Sequence, residues 1–403
     1  MTAETDPTSK RPPRSWRWIP LSLRFYLALL AVLVLTAGTW IGVRIYRHEV
    51  AIRAIERAGG TVVRRPDGSL LSSWTLSPRI CRAFENVPEV NLSGSLMTDE
   101  VLRSVAMLRG VEVLHLDSSQ LTDRGLECVT GLAHLRSVNL LNTQVSDSGI
   151  EALSGLTRLQ EVNLGGTDVT DRGLRNLRSA TKLWYVKLNR THVNGAGLRD
   201  LPLTNLYGLD LSDTRIDDTG LASLSGMKGL VCLDLNGTQV TDAGLAQLQG
   251  IRSLRFLLLG GTRTTDTGLS LLKHLTGLES VGLGRTQVTD AGLAHLQGMS
   301  GLRNLDLNFT RATDEGLKCV KGLTRLEQLW LTDTRVTDAG LAYLRELTGL
   351  RGLLLDNTLV TDAGLVELKG LNRLELLGLA NTRATDAGIT DLKRALPSLK
   401  VAK

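Results

Sequence analysis

A 24-residue repeat restricts the folds available to this chain more than any other feature. The segment TQVTDAGLAQLQG at 238–250 returns as TQVTDAGLAHLQG at 286–298, two periods later, with only Gln247 changed to His295. The Asp of a T-D-x-G-L signal keeps this period at Asp99, Asp123, Asp147, Asp171, Asp218, Asp242, Asp266, Asp290, Asp314, Asp338, Asp362 and Asp386. The one longer gap, where Gly195 fills the missing place and one residue is lost near Pro202, brings the count to thirteen copies. Such a period predicts stacked structural units instead of one globular core.

Each copy has the signals of one strand and one helix. The segment LRNLDLNFT (302–310) alternates apolar and polar residues, which predicts a short strand with one buried side. V-T-D-A-G-L-A-x-L follows, with Thr or Asp suited to capping a helix and Leu at helical spacing. Because no single unit can bury its own leucines, neighbouring units must stack.

The repeated L-x-x-L-x-L-x-x-T-x-V-T-D-x-G-L pattern resembles the leucine-rich repeat family. It is most similar to the bacterial branch with short 24-residue repeats, and its D-x-G-L element is shared with the ribonuclease-inhibitor-like and cysteine-containing branches. The resemblance implies an α/β fold, a right-handed solenoid of about 13 repeats with parallel strands on the concave face and helices on the convex face. The family usually has Asn or Cys where this chain has Thr.

Two polar rows accompany the leucines, and we interpret both as structural. The first row begins with Ser95 and Ser119 and continues with Thr143, Thr167, Thr191, Thr214, Thr238, Thr262, Thr286, Thr310, Thr334, Thr358 and Thr382. A small hydroxyl both donates and accepts, so this row is predicted to be a hydrogen-bond ladder for buried backbone groups in the turn. The Asp row is interpreted as helix capping and not as a string of metal sites.

Residues 25–43, FYLALLAVLVLTAGTWIGV, form an uncharged segment that predicts a membrane anchor. As a helix it is roughly 28 Å long, about the thickness of the hydrocarbon layer. Aromatic residues that favour the membrane interface lie near its ends, at Trp16, Trp18, Tyr26, Trp40 and Tyr46. The alternative is a cleaved signal peptide, but this run is longer than the usual apolar region of about 7 to 15 residues and has no A-x-A site.

The predicted organisation has four parts. Residues 1–24 form a basic tail, 25–43 a transmembrane helix, 44–86 a juxtamembrane helix with an N-terminal cap, and 87–403 the solenoid. The cap is predicted to hold a hairpin around 66–68 and a short helix at 77–86. Five basic residues before the span and four after it slightly favour a solenoid outside the cytoplasm. Gly38 and Gly42 form a G-x-x-x-G pair that permits a weak homodimer.

Charge and motifs argue against nucleic acid binding and catalysis. Residues 1–66 hold 11 basic and 4 acidic residues, so the net charge of +6 leaves −1 for the remaining chain. The repeats therefore lack a cationic footprint for phosphates. We find no phosphate loop, H-E-x-x-H or G-x-S-x-G motif, and predict no enzyme activity, no cofactor and no metal.

Cys81, Cys128, Cys232 and Cys319 are predicted to be free thiols. Asp210 and Asp234 occupy equivalent positions in adjacent repeats and could together bind a cation. Asp or Asn is, however, frequent at this position in the family, so we predict no metal site there.

The variable strand positions carry the predicted binding site. Of the nine aromatic residues beyond the anchor region, six fall at positions predicted to face the concave side. An exposed aromatic patch often marks a binding surface. Trp184 and Tyr207 share a register in neighbouring strands and are predicted to stack. The predicted partner-binding residues are Trp184, Tyr185, Tyr207, Phe256, Leu258, Phe309, Trp330 and Leu354, with Leu376 on the same face.

The sequence leaves three functional hypotheses. The favoured one is a membrane-anchored, non-catalytic module that presents its concave surface to another protein. The alternatives are binding of a glycan or cell-envelope polymer by the aromatic strip, and an intracellular scaffold with the reversed orientation. The irregular repeat beside Trp184 is either part of the binding site or a degenerate copy that the stack tolerates.

Overall fold

The stacked coils share one continuous sheet. The computed structural model describes residues 21–65, 86–95 and 98–403. Within these ranges fifteen strands follow one another in chain order, β1 antiparallel to β2 and each later strand parallel to its neighbour. They are β1 Thr61–Arg65, β2 Asn86–Asn91, β3 Val113–His115, β4 Ser137–Asn139, β5 Glu161–Asn163, β6 Tyr185–Lys187, β7 Gly208–Asp210, β8 Cys232–Asp234, β9 Phe256–Leu258, β10 Ser280–Gly282, β11 Asn304–Asp306, β12 Gln328–Trp330, β13 Gly352–Leu354, β14 Leu376–Gly378 and β15 Lys400–Ala402.

The outer side of the stack is helical, but most helices are short. The α-helices are Asp99–Met107, Asp123–Leu126, Asp147–Ile150, Asp171–Leu174, Asp218–Leu221, Asp242–Leu245, Asp266–Leu272, Asp290–Leu293, Asp314–Val320, Asp338–Leu341, Asp362–Leu365 and Asp386–Ala395. Many continue into a 3₁₀ turn: Glu127–Gly131, Glu151–Leu153, Arg175–Leu177, Ala222–Leu224, Ala246–Leu248, Ala294–Leu296, Ala342–Leu344 and Val366–Leu368. A 3₁₀ helix rises about 2.0 Å per residue against about 1.5 Å for an α-helix, so it lets a short coil span the outer side. The irregular repeat has two 3₁₀ turns and no α-helix, at Leu198–Asp200 and Leu203–Asn205.

The leucines of each coil are buried against those of the next. Leu302, Leu305 and Leu307, the three strand leucines of one copy, are at most 1% exposed. Equivalent residues form a single apolar core that runs from Ala51 to Leu399. The predicted fold class is therefore confirmed: a right-handed α/β solenoid with parallel strands on the concave face and helices outside.

The Thr row closes the turn of each coil. Thr310 is buried, and its hydroxyl donates to the carbonyl of Leu307, 2.7 Å away, in the same coil. Thr143, Thr238 and Thr334 make the same bond three residues back. The predicted pairing of buried backbone groups is therefore confirmed. The bonds do not link one coil to the next, because the buried carbonyl within reach of each hydroxyl is that of its own strand.

The Asp row, in contrast, connects neighbouring coils. The Asp290 carboxylate accepts from the Thr313 amide at 2.8 Å through Oδ1 and from the Thr313 hydroxyl at 2.7 Å through Oδ2. Thr289 caps the helix of Asp290 itself, since its hydroxyl accepts from the Ala291 amide. The Asp row does take part in helix capping, but at a different helix from the one it begins. Thr caps its own helix, and Asp accepts hydrogen bonds from the Thr that caps the helix of the following coil.

One helix, Leu21–Arg57, runs without interruption from the predicted anchor into the solenoid. Its last turns are part of the core, with Ala51, Ile52 and Ile55 at most 1% exposed. It is the one helix in the described residues that is long and apolar enough to cross a membrane, with a mean hydropathy of 2.1 in a window that is wholly unburied. The basic tail up to residue 20, the hairpin turn at 66–68, Cys81 and residues 77–85 of the helix predicted at 77–86 lie outside the described residues. Asn86, the last residue of that predicted helix, begins β2 instead.

Candidate functional site

Each coil offers three side-chain positions to the concave face. They are the residue before the strand and the first and third strand residues, which flank the buried middle residue. In β7 these are Tyr207, Gly208 and Asp210. Because equivalent residues are paired across the parallel sheet, each position forms a column with a step of about 4.8 Å between strands.

An aromatic cluster, defined as Trp184, Tyr185 and Tyr207, lies where β6 meets β7. The Trp184 ring is 5.8 Å from each tyrosine ring, centroid to centroid, and is inclined at 57° to both. Trp184 and Tyr207, which we predicted to stack, are close together but tilted and not parallel. Inclined pairs are a favoured aromatic geometry. Trp184 and Tyr207 are 39% and 41% exposed, although the leucine core of the stack does not need them.

Gly208 makes room for the cluster. A Cβ at this position would overlap the Tyr185 ring, so the ring lies across β7 above the glycine. The neighbouring Asp210 then affects the phenol: the pKa of Tyr185 is raised first by burial and next by the charge of Asp210. Lys187 places its Nζ 5.5 Å from the centre of the same ring. The middle of the concave face therefore combines exposed rings with a charged border.

Two carboxylates stand beside the rings. Asp210 and Asp234 are directly paired across β7 and β8. Burial raises the pKa of Asp234 to about 6, with further increases from Asp210 and Asp213 and an opposing effect of the hydrogen bond from the Asn236 amide. In the described part of the chain neither carboxylate has an ion-pair partner. Nor do the described residues contain three or more His, Cys, Asp or Glu side chains grouped to hold a metal ion.

The other predicted residues do not extend the cluster into a continuous strip. Phe256 and Leu258 lie on β9, while Trp330 and Leu354 lie on β12 and β13. Six strand steps separate Trp184 from Trp330, about 29 Å along the sheet. The predicted set therefore forms separate apolar areas, and the three rings at β6 and β7 are the densest.

Phe309 was assigned to the wrong place. It is not on a strand but in the turn after β11, with φ 57°, and its ring lies 4.4 Å from the Arg285 guanidinium carbon. Arg285 takes the same left-handed conformation one coil earlier. The residue before the Thr of the turn therefore lies after the strand and outside the three concave columns at this coil.

Comparison with known proteins agrees with this architecture. A family model described as Leucine Rich repeat matches residues 131–154 and 204–225. The structure is similar to an internalin from Listeria monocytogenes, with a TM-score of 0.62 and 23% identity over 78% of this chain and 86% of that chain. The chain folds as a leucine-rich repeat solenoid. A leucine-rich repeat protein of Leptospira interrogans is also similar, with a TM-score of 0.55 and 17% identity over 85% of this chain and 96% of that chain.

At these identities the structural likeness establishes the leucine-rich repeat fold of this chain and nothing about its partners. Among curated protein sequences, none matches it. The binding surface has to be argued from its own residues.

A charge ladder, which the sequence analysis missed, occupies the column of Trp184 and Tyr207 in the later coils. It consists of Arg255, Glu279, Arg303, Glu327, Arg351 and Glu375, and each member pairs with its neighbours. The alternation is visible once the repeats are aligned by position before the strand. Each charge of the ladder is balanced by the next coil, whereas among the described residues no ion pair joins the concave side chains of β6 to β8.

Proposed function

We propose that this protein is a membrane-anchored, non-catalytic binding module whose concave face, centred on the aromatic cluster, docks another protein. The observation that carries the proposal is a cluster of three rings, Trp184 and Tyr207 exposed and Tyr185 half-buried, on a sheet whose core is built of leucine. Aromatic side chains held in a cluster are typical of the residues that dominate binding energy at protein interfaces.

The contrast between the two halves of the concave face supports this location. The charge ladder pairs its charges within the stack, so a partner gains little by displacing them. Around the aromatic cluster the apolar surface is in contact with water, and covering it with a partner is favourable. Docking is therefore expected at β5 to β8.

Glycan or envelope-polymer binding is the second candidate, because sugars also pack on Trp and Tyr. The rings of Trp184 and Tyr207 are inclined at 57°, which makes a faceted surface and not a flat platform. This geometry favours a side chain inserted between rings over a sugar laid across them.

Membrane anchoring is supported by the exposed apolar surface of residues 25–43 and by the length of the helix. A cleaved signal sequence has the same features, and the two differ in the mature protein. We expect the native protein to stay with membranes after alkaline carbonate washing and to keep the mass of the uncleaved chain. Protease added to intact cells should remove the solenoid; survival of the solenoid would instead support the intracellular scaffold. A weak homodimer through Gly38 and Gly42 is a further hypothesis, which the same membrane preparation can test. A Cβ added at either glycine would meet no described atom within 4 Å.

The binding proposal is tested by crosslinking in native membranes followed by capture of the full chain. The double variant Trp184→Ala/Tyr207→Ala should lose the partner that the wild type recovers. Its matched control is Leu359→Ala/Val366→Ala, which removes two side chains of similar exposure, 49% and 53%, away from the concave face.

Cys232 gives an independent footprint of the same surface. It lies on β8 beside Tyr207, whose backbone carbonyl accepts from the Cys232 amide at 2.9 Å, while Cys128 and Cys319 belong to the outer helical side. A docked partner should slow alkylation of Cys232 but not of the other two. Equal capture by the aromatic variant and the wild type, with Cys232 unprotected, would refute docking at the cluster. Recovery of polysaccharide without protein would favour the glycan hypothesis.

A further inference from the structure

The charges around the aromatic cluster specify what kind of side chain fits it. On β5 to β8 the three concave columns contain Glu161, Asp210 and Asp234 against the single base Lys187. The net charge of this area is −2 when all three acids are ionised, whereas the six members of the charge ladder sum to zero. A partner that complements the area must bring positive charge.

The two aspartates each keep one carboxylate oxygen available. Asp210 uses Oδ1 to accept from the Ser212 amide at 3.0 Å and from the Ser212 hydroxyl at 2.7 Å. Asp234 uses Oδ1 to accept from the Asn236 amide at 2.9 Å. Within the described residues, no hydrogen bond ends on Oδ2 of either side chain. The two side chains stand in register on adjacent strands, whose spacing is about 4.8 Å, beside the aromatic cluster.

The rings already accept a cation on this side of the cluster. The Nζ of Lys187 lies 5.5 Å from the Tyr185 ring centre, within the range of a cation–π contact. Tyr185 also lies near both Asp210 and Asp234, whose charges raise the pKa of its phenol after the larger effect of burial. The Tyr185 ring and the carboxylates of Asp210 and Asp234 therefore border the same space on the concave face.

We propose that this space, between the aromatic cluster and the carboxylates of Asp210 and Asp234, binds an arginine side chain carried by an exposed segment of the partner protein. This inference rests on the proposed function and names the chemistry of the partner. A guanidinium is planar, packs on an aromatic ring and donates to two carboxylate oxygens at once, which an ammonium does less well. Lysine is the weaker ligand of the same site.

The chain supplies a matched control for the carboxylates. Asp306 has the same strand position on β11, accepts the same turn hydrogen bond from the Asn308 amide, and has a pKa raised by burial. It lies three strand steps from Asp234, away from the aromatic cluster, and is paired in register with Trp330 on β12. Asp306→Asn therefore reproduces the local change of Asp234→Asn without touching the proposed site.

The test uses the full chain in uncharged detergent micelles and fluorescein-labelled nonapeptides with one central Arg, Lys, Gln or Glu. By anisotropy, we expect the Arg peptide to bind at least about tenfold more tightly than the Gln peptide, a ratio typical of one charge-assisted contact. Asp210→Asn/Asp234→Asn should reduce Arg binding to the Gln level, and Asp306→Asn should leave it unchanged. The bound Arg peptide should also slow alkylation of Cys232.

Acidity provides a second readout. Asp234 is faced by Asp210, Asp213, Tyr185 and Cys232, and burial is the main cause of its raised pKa of about 6. Its carboxylate is ionised above that pH and protonated below it, so Arg binding should weaken as the solution is acidified through about pH 6. Asp234→Asn should remove most of this dependence.

The outcomes separate this inference from the proposed function. Equal binding of the Arg and Gln peptides, no binding of any Arg peptide, or an unchanged Arg affinity in Asp210→Asn/Asp234→Asn would overturn the arginine site. If the aromatic double variant still loses the native partner in that case, docking at the cluster stands without it. If the aromatic variant keeps the partner, the proposed function itself fails.

Discussion

The Asp row allows a direct test of whether this solenoid is held together by side-chain bonds between coils. Asp290 and Asp386 occupy the same position of the same T-D-A-G signal, directly after a Thr that caps its own helix. Asp290 accepts two hydrogen bonds from Thr313 of the following coil. Asp386 belongs to the last helix, and its 92% exposed side chain pairs only with Lys403.

Alanine at the two positions should therefore have unequal costs. Asp290→Ala leaves the Thr313 amide and hydroxyl without their charged acceptor, and two such bonds in a half-buried position are worth about 2 to 3 kcal/mol together. Asp386→Ala removes one solvent-exposed ion pair, which is worth less than about 1 kcal/mol. The effect of each Asp on its own helix dipole, about 0.3 to 1 kcal/mol, is common to both variants and cancels in the comparison.

The assay is hydrogen exchange of the full chain in detergent micelles, with urea unfolding as a check. A solenoid can open coil by coil, so local opening free energies are better defined than one global value. We expect Asp290→Ala to accelerate exchange around Thr313 much more than Asp386→Ala accelerates it in the last helix. Equal losses at both positions, or a loss below about 1 kcal/mol for Asp290→Ala, would show that the row merely caps its own helices.

Three further predictions concern the turn, the irregular repeat and pH. Thr310→Val should lower the free energy of unfolding by about 1 kcal/mol in urea titrations, because the buried hydroxyl bonded to Leu307 is lost, while Thr310→Ser should be nearly neutral. Gly195→Asp, although it restores the Asp of the repeat, should cost about 2 kcal/mol or more by the same titration. The backbone there has φ 99° and a Cβ would overlap the Gly220 backbone. Asp234→Asn should stabilise the chain by about 1 kcal/mol at neutral pH. This is well below the free energy that corresponds to the whole pKa shift, because the side chain is partly solvated. The folded-state pKa of about 6 lies above the unfolded value, so wild-type stability falls as pH rises between the two, and thermal melts should coincide near about pH 4.

The distribution of polar groups on the concave face has a consequence for engineering the partner site. Substitutions in the charge ladder, such as at Arg303, alter two ion pairs at once and disturb neighbouring coils. Substitutions at Trp184 or Tyr207 remove exposed rings and leave the leucine core intact. We therefore expect the aromatic variants to test the proposed docking without a loss of stability.

The repeat itself was enough to determine the coil. Leucines such as Leu302, Leu305 and Leu307 recur with a period that only stacking can bury, so the strand positions, the parallel order and the solenoid followed from the need to remove apolar surface from water. The side-chain columns of the concave face could be predicted from the same repeat, because they are the positions between those leucines.

Contacts between coils were decided only in the tertiary structure. The sequence shows that Asp290 precedes a helix, but which helix it serves depends on the neighbour laid beside it. Likewise Phe309 matches a strand pattern yet lies in a turn, and the Tyr185 ring lies over Gly208 of the next coil. Burial along one coil obeys a period that can be read from the chain. The direction of a side chain depends on the local backbone angles and on atoms a whole coil away, which no period encodes.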